Sequence, residues 1–310
     1  MRLDELYTKR LVFVCGKGGV GKTTVSALLA LKAARQKKRV LVVEINATGR
    51  VAPLIANQAS PSHAVTPESV TAVTPFLSMI NLRPQLCFEE YVLRQIRFKT
   101  IYDVFFNNSF VTNFVSATPG LSELLLLGKI YDLEQQKSVA NLPASEPLYD
   151  LIVVDTPATG HGLSLLEVPH VILSALKSGP LRNKAEKMTA VFDDQKRTAF
   201  CLVTLAEEMP VTETLDYHHK LQKLHVGFGP LFINAIMTSL PALQKPKVSC
   251  PKELNQYIEF YRLAQNRAEL HQTYLQKITD EFKKLDKIIL PFQFSGIQNA
   301  TDFEPLLEAL

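Results

Sequence analysis

The run Gly16–Thr23, GKGGVGKT, dictates more of this chain's architecture than any other stretch. It fits G-x-x-x-x-G-K-[ST], in which glycines let successive backbone N–H groups turn inward around phosphate oxygens. Such a loop needs a strand to deliver it and a helix whose first turn faces the bound anion. Both flanks read that way. Leu11–Cys15 is a short apolar run ending at glycines, as a buried parallel strand does. From Lys22 to Gln36 the pattern is helical, with Val25, Leu28, Leu29 and Leu31 on the apolar side. In this setting Gly16, Lys17, Gly18, Gly19, Val20, Gly21, Lys22, Thr23 and Thr24 are expected to cradle the phosphates of a nucleotide. Lys22 is expected to reach the β and γ phosphates, and the Thr23 hydroxyl to bind Mg²⁺.

The rest of the chain repeats the strand–helix theme. Arg39–Ile45, Leu151–Asp155, Ala199–Leu205, Leu231–Ile236 and Lys287–Leu290 read as further strands. Val211–Leu224 and Leu254–Lys284 read as helices between them, and Thr301-Asp-Phe-Glu304 as a capping box opening a last helix. Alternation of this kind predicts an α/β fold with a doubly wound, mostly parallel sheet, the phosphate-loop NTPase architecture. All 310 residues read as one domain. Between Ala56 and Asn141 the alternation fails. Ser60–Pro75 is rich in Ser, Thr and Pro and reads as a loop or short hairpin. Phe88–Phe114 places Phe98, Ile101, Tyr102, Phe105 and Phe106 at helical spacing, and Leu121–Gln136 is a second apolar helix. The expectation is a helical insertion over about residues 84–141, within the domain, since no flexible linker flanks it.

A second chemical site is expected at Asp155, which ends the strand LIVVD. A carboxylate at the C-terminal edge of a parallel strand lies beside the phosphate loop and can hold Mg²⁺, directly or through water. Pro157 and Gly160 bracket what reads as a loop able to change state when the γ-phosphate leaves. His161 fits a structural loop histidine at least as well as a catalytic one.

Composition excludes several classes. A net charge of +4 from 34 basic and 30 acidic residues is too mild for a nucleic-acid partner. Cys15, Cys87, Cys201 and Cys250 show no C-x-x-C and no ligand spacing, so a reduced, cytoplasmic chain is expected. The start, MRLDELYTKR, lacks the apolar core of a signal peptide. No apolar run approaches the roughly 20 residues that span a bilayer, so membrane contact is expected to be peripheral at most.

GKGGVGKTT has the deviant Walker A form, and DTPATGHGLSLLEVP is similar to the switch II segment of the arsenite-transporter ATPase family, which includes ATPases that target tail-anchored membrane proteins. The segments TPGLSELLLLGKI, EEMPVTETL, LFINAI, RLAQNRAELHQTYLQKI and LPFQFSGIQNATDFEPL agree, so the chain resembles that family along essentially its whole length. The resemblance implies a dimer with nucleotide at the interface. It implies that Lys22 acts in its own subunit while Lys17 reaches the partner's phosphates, much as an arginine finger does. It also implies that Asn234 reads adenine and that Pro291 and Phe292 line the base pocket.

Three departures qualify this. Asn46, in VVEINATGR, stands where the family's switch I Asp orients the attacking water. An amide can hold that water but cannot accept its proton, so slow or partner-dependent hydrolysis is expected. Glu44 shares a strand face with Asn46 and is the alternative, with Asn46 preferred. Only Cys250 lies near the place of the C-x-x-C that clamps some family dimers with zinc. No methionine-rich groove is visible; the aromatic helix Phe88–Phe114 could line a groove for a hydrophobic protein client or simply pack the core. The scattered cysteines do not make a thiolate site for a metalloid.

Two readings follow. One is a Mg²⁺-dependent ATPase whose nucleotide state opens and closes a homodimer or a heterodimer. The other is a nucleotide-gated binding module, or the passive half of a heterodimer with a paralogue. A nucleotide kinase ranks below both, because it gives no reason for Lys17.

Overall fold

A computed structural model of the chain describes residues 1–45, 49–55, 69–95, 118, 120–138, 146–241 and 252–310. Asn46, Cys250, most of Ser60–Pro75 and the 96–114 part of the expected aromatic helix lie outside the described residues.

In chain order the strands are β1 (Leu11–Gly16), β2 (Val40–Ile45), β3 (Thr71–Thr74), β4 (Leu77–Leu82), β5 (Leu151–Asp155), β6 (Thr198–Leu205), β7 (Phe228–Ile236) and β8 (Lys287–Pro291). They form one sheet in the order β3-β4-β2-β5-β1-β6-β7-β8. All pairs are parallel except the edge pair β3–β4. The helices are α1 (Leu3–Leu6), α2 (Lys22–Arg35), α3 (Val51–Ile55), α4 (Pro84–Gln95), α5 (Leu121–Gln135), α6 (Thr159–Ala175), α7 (Pro180–Phe192), α8 (Glu208–Lys223), α9 (Lys252–Glu281) and α10 (Glu304–Glu308).

Period-2 alternation of apolar side chains fills both faces of the sheet. Leu11, Phe13, Cys15, Leu41, Val43, Ile152 and Val154 pack with α5–α9 on one side. Val12, Val14, Val40, Val42, Leu151 and Val153 pack on the other with α2, α3 and α10. This is the expected doubly wound α/β arrangement. By the same alternation, the strand-end carboxylates Glu44 and Asp155 fall on the α2 side.

Several expectations need correction. The described end of Ser60–Pro75 takes the hairpin alternative, β3 running antiparallel to β4, while β4 itself, a buried parallel neighbour of β2, lies where no strand is expected. Gly160 is not in a loop but in the first turn of α6, which leaves only Thr156–Ala158 between β5 and that helix. His161 lies in the same turn. The chain between β5 and β6 holds two helices, α6 and α7, where no particular helix is expected from the sequence. The capping box is Asn299 with Asp302, not Thr301 with Glu304. It opens a 3₁₀ turn, Ala300–Phe303, that leads into α10. Between β4 and β5 the described elements are α4 and α5, both helical.

Candidate functional site

The site runs along the C-terminal edge of the parallel strands, where ligands of open α/β sheets bind. Its centre is the turn from β1 into α2. Gly21, the N-cap of α2, has φ 92°, and a Cβ there would stand 2.1 Å from Asn234 Nδ2. Only glycine meets both demands. At the other end of the loop a Cβ on Gly16 would lie 2.4 Å from the Val203 carbonyl oxygen of β6, so the loop leaves the sheet in contact with its neighbour strand.

Lys22 opens α2 and is buried; its Nζ donates to the Lys17 carbonyl at 2.8 Å, curling back over the loop. Burial pushes its ammonium below the usual lysine range, and Asp155 opposes that shift. The Thr23 hydroxyl donates to Asp155 Oδ2 at 2.8 Å, and the Ser26 hydroxyl donates to Oδ1 at 3.2 Å. Burial raises the Asp155 carboxyl above its usual value, against the hydrogen bond from Thr23 and the charge of Lys22. Thr23, Ser26 and Asp155 thus form one oxygen cluster tying the phosphate loop to β5. Hard oxygen donors beside a lysine suit Mg²⁺ with a phosphate ligand.

Next to Asp155, on β2, stands its register partner Glu44. Glu44 is fully buried; its Oε1 accepts from the Arg50 N–H at 2.8 Å and the Val51 N–H at 2.9 Å, capping α3. Its Oε2 is buried with no hydrogen-bond partner. Burial raises this carboxyl too; the two N–H groups oppose the shift and Asp155 adds to it.

On the other side of the loop, Asn234 of β7 donates from Nδ2 to the Val20 carbonyl at 3.0 Å. The next residue, Ala235, takes a positive φ of 57°. Pro291 ends β8 opposite Ile236, and the Phe292 N–H donates to the Ile236 carbonyl at 2.9 Å. The Phe292 ring meets Phe294 edge-on at 5.1 Å, with the Arg267 guanidinium 5.9 Å from its centre. The edge therefore reads, from β2 to β8: two carboxylates, the phosphate loop, an amide braced on that loop, and an aromatic.

Over residues 9–179 and 180–310 the chain matches the family described as Anion-transporting ATPase. The chain belongs to the anion-transporting ATPase family. ATPase BagA of Mycobacterium tuberculosis is 31% identical over 256 residues, covering 79% of this chain and 69% of the relative. An ATPase ASNA1 homolog of Plasmodium vivax is 24% identical over 363 residues, covering 99% and 90%. ATPase get3 of Neurospora crassa is 22% identical over 338 residues, covering 97% and 90%. The family resemblance read from the two nucleotide motifs is borne out. So the loop, Asp155, Asn234 and Phe292 share one edge of an anion-transporting ATPase fold.

Lys17 is also at this edge, but its ammonium is paired within its own chain, 2.8 Å from Glu213 Oε1 on α8. Glu213, Ser26 and Arg50 were not among the residues the sequence singled out. Ser26 had a signal: it lies three residues beyond Thr23, on the same helix face. Arg50 and Glu213 had none, because tertiary packing alone brings them in. No described helix is long and apolar enough to cross a membrane.

Proposed function

We propose that the chain is a Mg²⁺-dependent ATPase acting as a dimer, in the cytoplasm, with ATP and ADP as its nucleotides. The observation that carries this reading is the Thr23–Asp155 hydrogen bond of 2.8 Å, braced by Ser26. It fixes a phosphate-loop hydroxyl against a strand-end carboxylate, beside a buried lysine.

In this reading the loop Gly16–Thr24 wraps the phosphates, and Lys22 exchanges the Lys17 carbonyl for phosphate oxygens. Thr23 and Asp155 would hold Mg²⁺, Asp155 through water, and the chemistry supplied there would be charge neutralisation on the phosphates. Asn234 keeps its bond to Val20 and uses the rest of its amide on adenine, while Pro291 and Phe292 flank the base. Gly160, in the first turn of α6, follows the γ-phosphate. Lys17 leaves Glu213 and stabilises charge on the partner's nucleotide. Asn46 orients the attacking water without accepting its proton, which keeps turnover slow.

A hydrophobic protein client belongs to the same reading. α4, α5 and α7 line a cavity of about 280 Å³ with Cys87, Tyr91, Leu121, Leu124, Leu125 and Leu181.

The test is phosphate release by the purified chain with Mg²⁺ and ATP, beside Lys17→Ala, Lys22→Ala and Asn46→Asp. Turnover stopped by either lysine change is the expected result. Mixing the two inactive lysine variants restores it if Lys17 acts across the dimer, because one composite site is then complete. Asn46 also favours a second reading, a nucleotide-gated module or the passive half of a heterodimer. ATP binding without turnover, with turnover appearing in Asn46→Asp or on adding a paralogue, decides for it.

A further inference from the structure

Glu44 is over-equipped for the structural task it performs. Capping α3 occupies one of its oxygens, Oε1, which takes both the Arg50 and Val51 N–H groups. A neutral acceptor would do this equally well. Yet a carboxylate is there, fully buried, as the cross-strand partner of Asp155. Asp155 is itself only 8% exposed. Two neighbouring carboxylates buried on one sheet face repel each other and lose hydration, a cost that persists unless positive charge offsets it.

The cations at hand do not fill that need. Lys22 donates back to the Lys17 carbonyl, and its charge acts on Asp155. Arg50 contributes its charge from the exposed end of the turn. Both Asp155 oxygens are engaged, by Thr23 and Ser26, whereas Glu44 Oε2 has no partner. The unused acceptor therefore sits one strand beyond Asp155, on the α2 face, at the edge where the phosphate loop ends.

We infer that Glu44 is the second carboxylate of the divalent-cation site, its Oε2 accepting hydrogen bonds from the hydration shell of a Mg²⁺ held by Thr23 and Asp155. This rests on the nucleotide-binding reading above. The role is positioning: Glu44 orients the hydrated ion and, through Oε1, couples it to the N-terminus of α3. The end of β2 is thereby tied to the metal.

The experiment measures binding of a fluorescent ATP analogue by the full chain while Mg²⁺ is titrated, with EDTA as the zero point. Glu44→Gln keeps an oxygen for the Arg50 and Val51 N–H groups but turns an N–H donor toward the hydration shell. The expected result is analogue affinity in EDTA equal to wild type, and a half-saturating Mg²⁺ concentration raised about 10–100-fold, the range for lost outer-shell ligands. Thermal unfolding without nucleotide should be no earlier than wild type, because a buried charge is gone and the cap remains. A Mg²⁺ requirement equal to wild type in Glu44→Gln would overturn the inference and leave Glu44 a cap. If Glu44→Gln does not fold, Glu44→Asp carries the test: the shortened carboxylate should raise the Mg²⁺ requirement, and an unchanged requirement overturns the inference. Failure of the wild-type chain to bind the analogue at all would instead overturn the nucleotide reading itself.

Discussion

The ammonium of Lys17 lies 2.8 Å from the carboxylate of Glu213, so the loop's first lysine is tied to α8 of its own chain. The second lysine, Lys22, is curled onto the Lys17 carbonyl. One short loop thus holds two cations with different partners. For Lys17 to serve a neighbouring subunit, the Glu213 pair must open. Partly exposed pairs of this kind are worth about 0.2–1 kcal/mol. Glu213→Gln should therefore raise steady-state phosphate release by no more than about fivefold. Lys17→Ala should lower it by about 10²–10³-fold, as loss of a transition-state donor does. Equal rates in Glu213→Gln and wild type would show that opening the pair does not limit turnover.

Gly21 and Asn234 make a second testable pair. Alanine at Gly21 would force a side chain into the left-handed region and against Asn234 Nδ2. The backbone term alone costs about 1–2 kcal/mol. Chemical denaturation of Gly21→Ala should show at least that loss, and nucleotide binding should fall with it. Adding Asn234→Ala should recover only the steric part, so the double variant should be more stable than the sum of the singles. Strict additivity would mean the amide moves aside at no cost.

A pH dependence follows from His271. Its ring is buried, and Nδ1 accepts the Met237 N–H at 3.0 Å, just beyond the strained Ala235 that follows Asn234. Burial first, then the Arg267 charge, lowers its pKa below the usual 6.5. His218, also buried, is lowered in the same direction by burial and by His219. A depressed folded pKa means the unfolded chain takes up protons first as pH falls. Stability is therefore fully present above the unfolded value and is lost as pH drops from about 6.5 toward the folded values. Melting temperature followed from pH 7.5 to 5.5 should fall, and His271→Asn, which keeps an acceptor but does not titrate, should flatten the slope. An unchanged slope would place the acid sensitivity elsewhere.

The residues that were legible in the sequence are those whose role is local. Strand, glycine loop and helix from Leu11 to Arg35 announce themselves because phosphate binding needs all three in tandem. Asp155 was legible as the polar end of an apolar run. β4 was not, since Leu77–Leu82 mixes Ser and Asn into a short buried strand without clean alternation. β7 starts at Phe228, ahead of the expected Leu231, because Gly229 and Pro230 read as breakers. Gly229 is there because a Cβ would stand 2.5 Å from Cys201 Sγ on β6. α6 begins among Thr, Gly and His and contains Pro169, so its start looked like loop. Glu213 and Arg50 depend on which helix or turn packs beside the loop, and no spacing encodes that. Glu44 is legible as a strand-end acid, but its unpartnered oxygen and its place beside Asp155 are set by strand register, which no local spacing encodes.

The most direct test of the account is calorimetric titration of ATP into the purified chain, with Mg²⁺ and with EDTA, beside Lys22→Ala. Stoichiometric binding in Mg²⁺, weaker binding in EDTA, and loss of binding in Lys22→Ala are the expected results. No binding by the wild-type chain, or equal binding by Lys22→Ala, would contradict the account.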